Sequence, residues 1–157
     1  MGLYIRNTNM STYTQLLYHI VFSTKDRKPV IVMDNKERLL RYIWGIIKNQ
    51  KSTLYRINAV EDHIHILTHI HPTVALSDFV KTIKTNSTIW LKKEKIFPYF
   101  TTWQDGYGAF TYSINDKNSI VNYINNQEDH HKKISFIDEY KKLLDDAGIK
   151  YELKYLE

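Results

Sequence analysis

The chain contains no cysteine among its 157 residues. Disulfide bonds, thiolate zinc sites and cysteine nucleophiles are therefore excluded. A bound metal ion would need histidine, carboxylate or amide oxygen as ligands. A covalent catalytic step would need serine, threonine, lysine, a carboxylate, histidine or tyrosine.

Long apolar runs are also missing. No stretch approaches the roughly 20 apolar residues that a membrane-spanning helix needs, and the opening segment MGLYIRNTNM has no apolar core of a secretion signal. We therefore expect a cytoplasmic protein with no membrane contact. The sequence has no repeat and no Pro/Gly-rich linker, so we expect a single domain over residues 11–157 behind a flexible N-terminal extension over residues 1–10.

The charge is mildly unbalanced towards the basic side. The formal net charge is +5 and the sequence pI is about 9.2. A basic surface favours an anionic partner, and nucleic acid is the commonest one. Many enzymes with other substrates are equally basic, so charge alone does not decide the partner.

Apolar periodicity predicts the order β-α-β-β-α-β. This order is typical of an α+β fold of the ferredoxin-like, or RRM-like, split βαβ type, in which helices back an antiparallel sheet. Additional C-terminal helices and a last strand are expected. The segments are YTQLLYHIVFST, DNKERLLRYIWGIIKNQK, STLYRINAV, HIHILTHI, LSDFVKTIKTNSTIWLKKEK and WQDGYGAFTYSI, then a helix from near Asp116 through SIVNYINNQEDHH, a helix FIDEYKKLLDDAG and a strand IKYELKYL.

A His-x-His pair lies in the third predicted strand. Residues two apart in a strand point to the same face, about 6.6 Å from each other, so His63 and His65 share a face and Ile64 faces the core. The pair could bind one metal ion, or it could be polar surface on an exposed sheet face. We interpret His69 and His71 as surface or strand-end residues, because His69 would lie about 13 Å beyond His65.

The third predicted helix offers polar groups beside an apolar face. Tyr123 and Gln127 are four residues apart and therefore lie along one edge of the helix, followed by His130 and His131. Gln127 is a neutral oxygen donor that could complete a coordination shell begun by two histidines. The chain has twelve tyrosines, and most are expected to be packing residues with a satisfied hydroxyl.

Four segments together resemble a known family, in matching order from about Ser11 to the C-terminus. They are YHIVFSTKDRKPV, EDHIHIL, WQDGYGAFTYS and NYINNQEDHHKKISFIDEYKKLL. The chain resembles the single-tyrosine HUH (His-hydrophobic-His) transposases of small bacterial insertion sequences, which are IS200-like and include the transposases associated with repetitive extragenic palindromes (REP).

The resemblance implies a mechanism and a set of partners. Tyr123 matches the nucleophile, while His63, His65 and Gln127 match the ligands of Mg²⁺ or Mn²⁺. Family membership would imply a homodimer, in which the tyrosine helix can dock on the partner chain's histidines to form composite active sites. The expected reaction is cleavage and rejoining of single-stranded DNA beside a hairpin, through a 5′-phosphotyrosine intermediate.

Basic and aromatic residues are candidates for DNA contacts, by phosphate binding and base stacking. The candidate DNA-binding residues are Lys25, Arg27, Lys28, Lys81, Lys84, Lys92, Trp103 and Tyr107.

Two alternative functions stay open at this point. One is a non-catalytic hairpin-binding protein, such as a domesticated transposase, that binds without metal. The other is a replication or mobilisation nickase with the same histidine pair.

Overall fold

The computed structural model describes residues 11–156 of the chain. The predicted N-terminal extension, residues 1–10, lies outside the described residues. The elements of the first part are β1 (Leu17–Ser23), α1 (Lys36–Asn49), β2 (Thr53–Ala59), β3 (His63–His69), α2 (Leu76–Glu94) and β4 (Gly108–Tyr112). The later helices are α3 (Lys117–Asn125), α4 (Gln127–Lys133) and α5 (Phe136–Asp146).

The four strands of the described region form one antiparallel sheet in the order β2-β3-β1-β4. This is the strand order of a split βαβ unit, so the predicted α+β architecture is confirmed. β3 lies inside the sheet, where Val21 of β1 and Asn58 of β2 pair with His65 on its two sides.

Helices cover both faces of the sheet. Successive side chains of a strand point to opposite faces, and Phe22, Ile64 and Ile66 belong to the main core beneath α1 and α2. On the opposite face Leu67 packs against α3, and Val21 packs against α5. The alternation in β1 and β3 therefore supplies two cores from one sheet.

Helix α5 packs closely on β4. Its Phe136 and Leu144 are buried with Phe110 in one cluster. A Cβ atom built on Gly108 would lie 2.6 Å from a ring carbon of Tyr140, which is closer than a side chain tolerates. Glycine at position 108 therefore lets α5 approach the sheet.

Two predicted elements differ from the structure. The predicted strand over residues 149–156 is wrong, because this segment forms only a 3₁₀ turn at Leu153–Tyr155. The predicted third helix is interrupted at Asn126 (φ −93°, ψ 16°), so that Tyr123 ends up on α3 and Gln127 begins α4. The hydrogen bond from the His130 N–H to the Asn126 carbonyl bridges the interruption. None of the helices within residues 11–156 combines the length and the apolar character needed to cross a membrane.

Trp103 belongs to the core and does not lie on the surface. Its side chain is 3% exposed, meets the rings of Phe22 and Phe100 edge-on, and donates its indole N–H to the Ser87 hydroxyl over 2.9 Å. Stacking on a DNA base requires an exposed ring face. The prediction that Trp103 contacts DNA is therefore wrong.

Replacing this indole should destabilise the fold. We expect Trp103→Ala to lower the free energy of unfolding by about 3–5 kcal/mol, because it leaves a large cavity in the core. Urea unfolding would measure the loss, with Tyr99→Ala as the control, since Tyr99 is 83% exposed and should change stability by less than about 0.5 kcal/mol. A Trp103→Ala protein of unchanged stability would contradict the core assignment.

Asn58 of β2 attaches the tyrosine-bearing helix to the sheet. Its amide donates to the Ile124 carbonyl over 2.8 Å and its oxygen accepts from Lys36 over 3.1 Å. We expect Asn58→Ala to lower the free energy of unfolding by about 1–2 kcal/mol, because that carbonyl loses its side-chain donor. Hydrogen exchange in α3 should accelerate. The exposed neighbour Arg56 gives the matched control, Arg56→Ala, and equal exchange in both variants would contradict the proposed anchor.

Candidate active site

The two histidines of the His-x-His pair lie side by side in the interior. His63 and His65 are each 1% exposed, and their ring centroids are 5.0 Å apart. The predicted common face is confirmed, since the Nε2 atoms of both rings point to one carboxylate oxygen, Oε1 of Glu139, at 3.1 and 3.0 Å. The prediction of an exposed polar face does not apply, because α4 and α5 cover this side.

Two neighbouring residues orient these rings through their Nδ1 atoms. Asp62 Oδ1 lies 2.6 Å from Nδ1 of His63, and Nε2 of His19 on β1 lies 2.8 Å from Nδ1 of His65. In metal sites, a hydrogen bond at one ring nitrogen fixes the orientation in which the other nitrogen binds the ion. Both Nε2 atoms are therefore held towards the same point.

Glu139 is the centre of the site. This carboxylate is 2% exposed, and its Oε1 atom faces the two histidines. Its other oxygen, Oε2, accepts hydrogen bonds from the Tyr123 hydroxyl and from the Gln127 amide, the latter over 3.0 Å. Nε2 of His130 lies 3.1 Å from the same oxygen.

The tyrosine and the glutamine predicted from the sequence both reach the site. Tyr123 lies edge-on to His65 with 5.7 Å between ring centroids, and Oε1 of Gln127 lies 3.2 Å from Nε2 of His63. Tyr123 is half-buried and Gln127 is 1% exposed. The interruption at Asn126 does not separate them, because both side chains converge on Glu139.

The charged groups of the site stabilise one another. Burial disfavours the charged form of His63, but its hydrogen bonds to Asp62 and Glu139 together raise the pKa of this imidazole to about 9. Burial also opposes ionisation of Glu139, yet hydrogen bonds from His63 and His65 hold the pKa of this carboxyl well below its usual range. In the metal-free protein, a cationic His63 therefore lies between two carboxylates.

His19, His65 and Tyr123 favour their neutral forms. Burial, and then the proximity of His65, lowers the pKa of His19 to about 3, and burial lowers the pKa of His65 as well. Burial, followed by the hydrogen bond to Glu139, raises the pKa of the Tyr123 hydroxyl above its ordinary value. The phenol therefore keeps its proton at neutral pH in this resting state.

The remaining histidines have separate environments. His69 is the last residue of β3, which confirms the strand-end alternative for it. Its side chain is 1% exposed and its Nδ1 accepts the Leu16 N–H. His71 is partly exposed beyond the end of β3. His131 lies 3.5 Å from Glu61 and 3.6 Å from Asp62, at the rim of the site.

Most of the predicted DNA-binding residues lie around the segment 102–107. A groove of about 480 Å³ between α2 and this segment is lined by Lys81, Lys84 and Tyr107. The Lys84 ammonium donates to the carbonyls of Gln104 and Gly106, and burial lowers its pKa to about 8. This lysine therefore holds the loop in place. Four of the predicted basic residues lie outside this groove and are exposed or partly exposed: Lys25, Arg27, Lys28 and Lys92.

A second groove lies between the basic loop and α5. It is lined by Arg27 on one side and by Phe136 of α5 on the other. The ring of Phe136 stacks on His63 with 4.5 Å between centroids. Phe136 therefore lines this groove and also contacts His63.

Three site residues were not identified from the sequence: Glu139, His19 and Asp62. Glu139 and His19 each leave a weak signal. Glu139 lies three residues after Phe136 and four before Leu143, which places a carboxylate on the apolar face of an amphipathic helix. His19 alternates with apolar residues on the inward face of β1. A buried polar side chain in an apolar stripe needs a partner, but the stripe does not say which one.

Comparisons with known proteins agree with this geometry. Residues 12–127 match the family described as "Transposase IS200 like". The ISDra2 transposase TnpA of Deinococcus radiodurans is 29% identical over 121 residues, which cover 73% of this chain and 86% of that protein. The matched range contains the positions of His63, His65, Tyr123 and Gln127, whereas Glu139 lies beyond its end.

Two solved structures share the fold. One is a putative transposase from Deinococcus radiodurans R1, with a TM-score of 0.58, 26% identity and coverage of 73% of this chain and 93% of that one. The other is a REP-associated tyrosine transposase bound to a REP hairpin, with a TM-score of 0.60, 14% identity and coverage of 80% and 76%. Since the family match extends over well more than half of the sequence, the chain belongs to the IS200-like transposase family, whose members are enzymes that act on DNA.

Proposed function

We propose that this transposase cleaves and rejoins single-stranded DNA through a 5′-phosphotyrosine intermediate on Tyr123, with the help of a divalent metal ion at His63, His65 and Gln127. The observation that supports this proposal most is the meeting of the Tyr123 hydroxyl and both Nε2 atoms at one buried carboxylate. A nucleophile and a ligand pair separated by about sixty residues in the sequence thus share one site.

The donor set fits Mg²⁺ or Mn²⁺. Two imidazole nitrogens and an amide oxygen face a common point, and hydrogen bonds at the far side of each ring hold them there. Imidazole suits Mn²⁺ better than Mg²⁺, which prefers oxygen ligands. When bound, such an ion withdraws negative charge from a phosphate oxygen and orients the phosphate for attack.

The covalent step exchanges one phosphate ester for another. The Tyr123 oxygen forms a bond to phosphorus and loses its proton, while the bond from phosphorus to the 3′ oxygen breaks and that oxygen leaves as a 3′-hydroxyl. The product is a 5′-phosphotyrosine. Attack by a 3′-hydroxyl reverses the exchange and frees the tyrosine, so that rejoining needs no external energy source.

The DNA would approach Tyr123 through a cavity beside α5. This cavity of about 290 Å³ is lined by Tyr123, His130, Lys142 and Leu143 among others. The exposed Lys142 can attract a phosphate, whereas Leu143 offers an apolar contact for a sugar or base. The hairpin next to the cleaved strand would follow the basic grooves around the segment 102–107, since the structural neighbour that shares this fold was solved with a REP hairpin.

Two chains are proposed to act together. One tyrosine can hold one DNA end, so the exchange of two ends requires two chains, and a twofold homodimer is the simplest arrangement. Within one chain, Tyr123 already lies against its own His65. A composite site formed with a partner chain would require α3 to leave this position and the hydrogen bond to Asn58.

Loss of the nucleophile should abolish the covalent adduct. We expect wild-type protein, incubated with a labelled hairpin-bearing oligonucleotide and Mn²⁺, to form an adduct that resists denaturing electrophoresis, and Tyr123→Phe to form none while still binding the oligonucleotide. The control is Tyr55→Phe, because Tyr55 packs against the same helix without reaching the site. An adduct in Tyr123→Phe would place the nucleophile elsewhere.

Metal removal should distinguish a metal-dependent enzyme from a protein that only binds the hairpin. We expect chelation to stop adduct formation and Mn²⁺ to restore it, and His65→Ala to weaken Mn²⁺ binding by at least about tenfold in calorimetry. The control is His71→Ala, a histidine just beyond the same strand. Hairpin binding that is independent of metal, with no adduct from wild type under any condition, would instead favour a non-catalytic, domesticated transposase.

A further inference from the structure

Glu139 is a buried carboxylate on a helix face where packing alone would call for an apolar residue. It lies on α5, outside the matched residues 12–127, and its side chain is 2% exposed. Burying a carboxylate costs several kcal/mol unless charges and hydrogen bonds compensate. Five side chains, from β3, α3 and α4, converge on it.

The two oxygens of this carboxylate face different groups. Oε1 is 3.1 Å from Nε2 of His63 and 3.0 Å from Nε2 of His65. Ligand atoms of these three residues all lie within 4.8 Å of one another, which is close enough to share one ion. Oε2 faces away from that point, towards Tyr123 and the amide of Gln127.

Metal binding would leave Oε1 without its present partners. Each histidine must give up the Nε2 proton to coordinate an ion, and Oε1 would then be a buried anionic oxygen with neither imidazole donor. Leaving a buried charged acceptor unsatisfied is strongly unfavourable. An ion at the point where the two Nε2 atoms converge replaces both donors at once.

We propose that Glu139 is itself a ligand of the metal ion through Oε1 and tethers the Tyr123 hydroxyl to the metal centre through Oε2. This inference rests on the proposed function and extends its ligand set by an anionic oxygen, the ligand type that Mg²⁺ and Mn²⁺ favour. One carboxylate leaves a divalent ion with a net charge of about +1 for a phosphate oxygen. Gln127 then has a second task, since its amide group orients Oε2.

The test measures metal affinity, so that it does not depend on activity. We expect Glu139→Gln to bind Mn²⁺ at least about tenfold more weakly than wild type, by calorimetry or by the electron paramagnetic resonance signal of free Mn²⁺. Asp129→Asn is the matched control, because it removes one carboxylate from the neighbouring α4 at a side chain that is 80% exposed. Circular dichroism of the metal-free proteins would establish that both variants fold.

Wild-type affinity in a folded Glu139→Gln protein would overturn this inference. If wild-type protein nevertheless formed the Mn²⁺-dependent adduct, the proposed function would stand, and only the role of Glu139 as a ligand would be rejected. A wild-type protein that neither binds Mn²⁺ nor forms the adduct would overturn both proposals.

A second measurement needs no variant. In wild-type crystals soaked with Mn²⁺, the anomalous signal should place the ion within about 2.5 Å of a Glu139 oxygen and of both Nε2 atoms. An ion held by the histidines, with Glu139 more than about 3.5 Å away, would overturn the inference even if Glu139→Gln failed to fold.

Discussion

The buried carboxylate of Glu139 is the interaction on which the arrangement of the site depends. A charge in the interior must be compensated, and here the compensating donors come from β3, α3 and α4, while the carboxylate comes from α5. If any of these helices moved away, an ionised group would lose its partners at a cost of several kcal/mol. The same requirement that stabilises the fold therefore brings a phenol and two imidazoles together.

The sheet divides its two faces between stability and chemistry. The face beneath α1 and α2 is an apolar core, to which Ile64 and Ile66 of β3 contribute. The opposite face carries His63 and His65 at alternate positions of the same strand, and β3 is hydrogen-bonded on both sides by β1 and β2. Residues on an internal strand are held more rigidly than residues on a loop, which suits a site that requires fixed ligand positions.

Two residues that the sequence predicts as DNA contacts have structural roles. Trp103 fills the core, and the ammonium of Lys84 donates to loop carbonyls at the start of β4. An indole and a lysine are suited to both tasks, so residue type alone does not distinguish a DNA contact from a packing contact. Lys81 and Lys25 stay exposed and border the same segment, so a DNA-binding groove at this segment stays a prediction.

Local pattern was enough to predict the order of the sheet strands and their helices and the shared face of His63 and His65, because backbone geometry sets periods of two and 3.6 residues. It placed Tyr123 and Gln127 on one continuous helix, whereas the structure interrupts that helix at Asn126 and brings both side chains to Glu139. It failed for residues 149–156, where alternation indicates a strand, but in the described sheet this segment pairs with neither edge strand, β2 or β4. The parts played by His19 and Glu139 were decided only by the tertiary structure. These residues lie 46 and 74 positions from His65 along the chain, and no periodicity links them. Their contacts arise because helices pack on both faces of the sheet, and a buried charge is stable only where that packing provides partners.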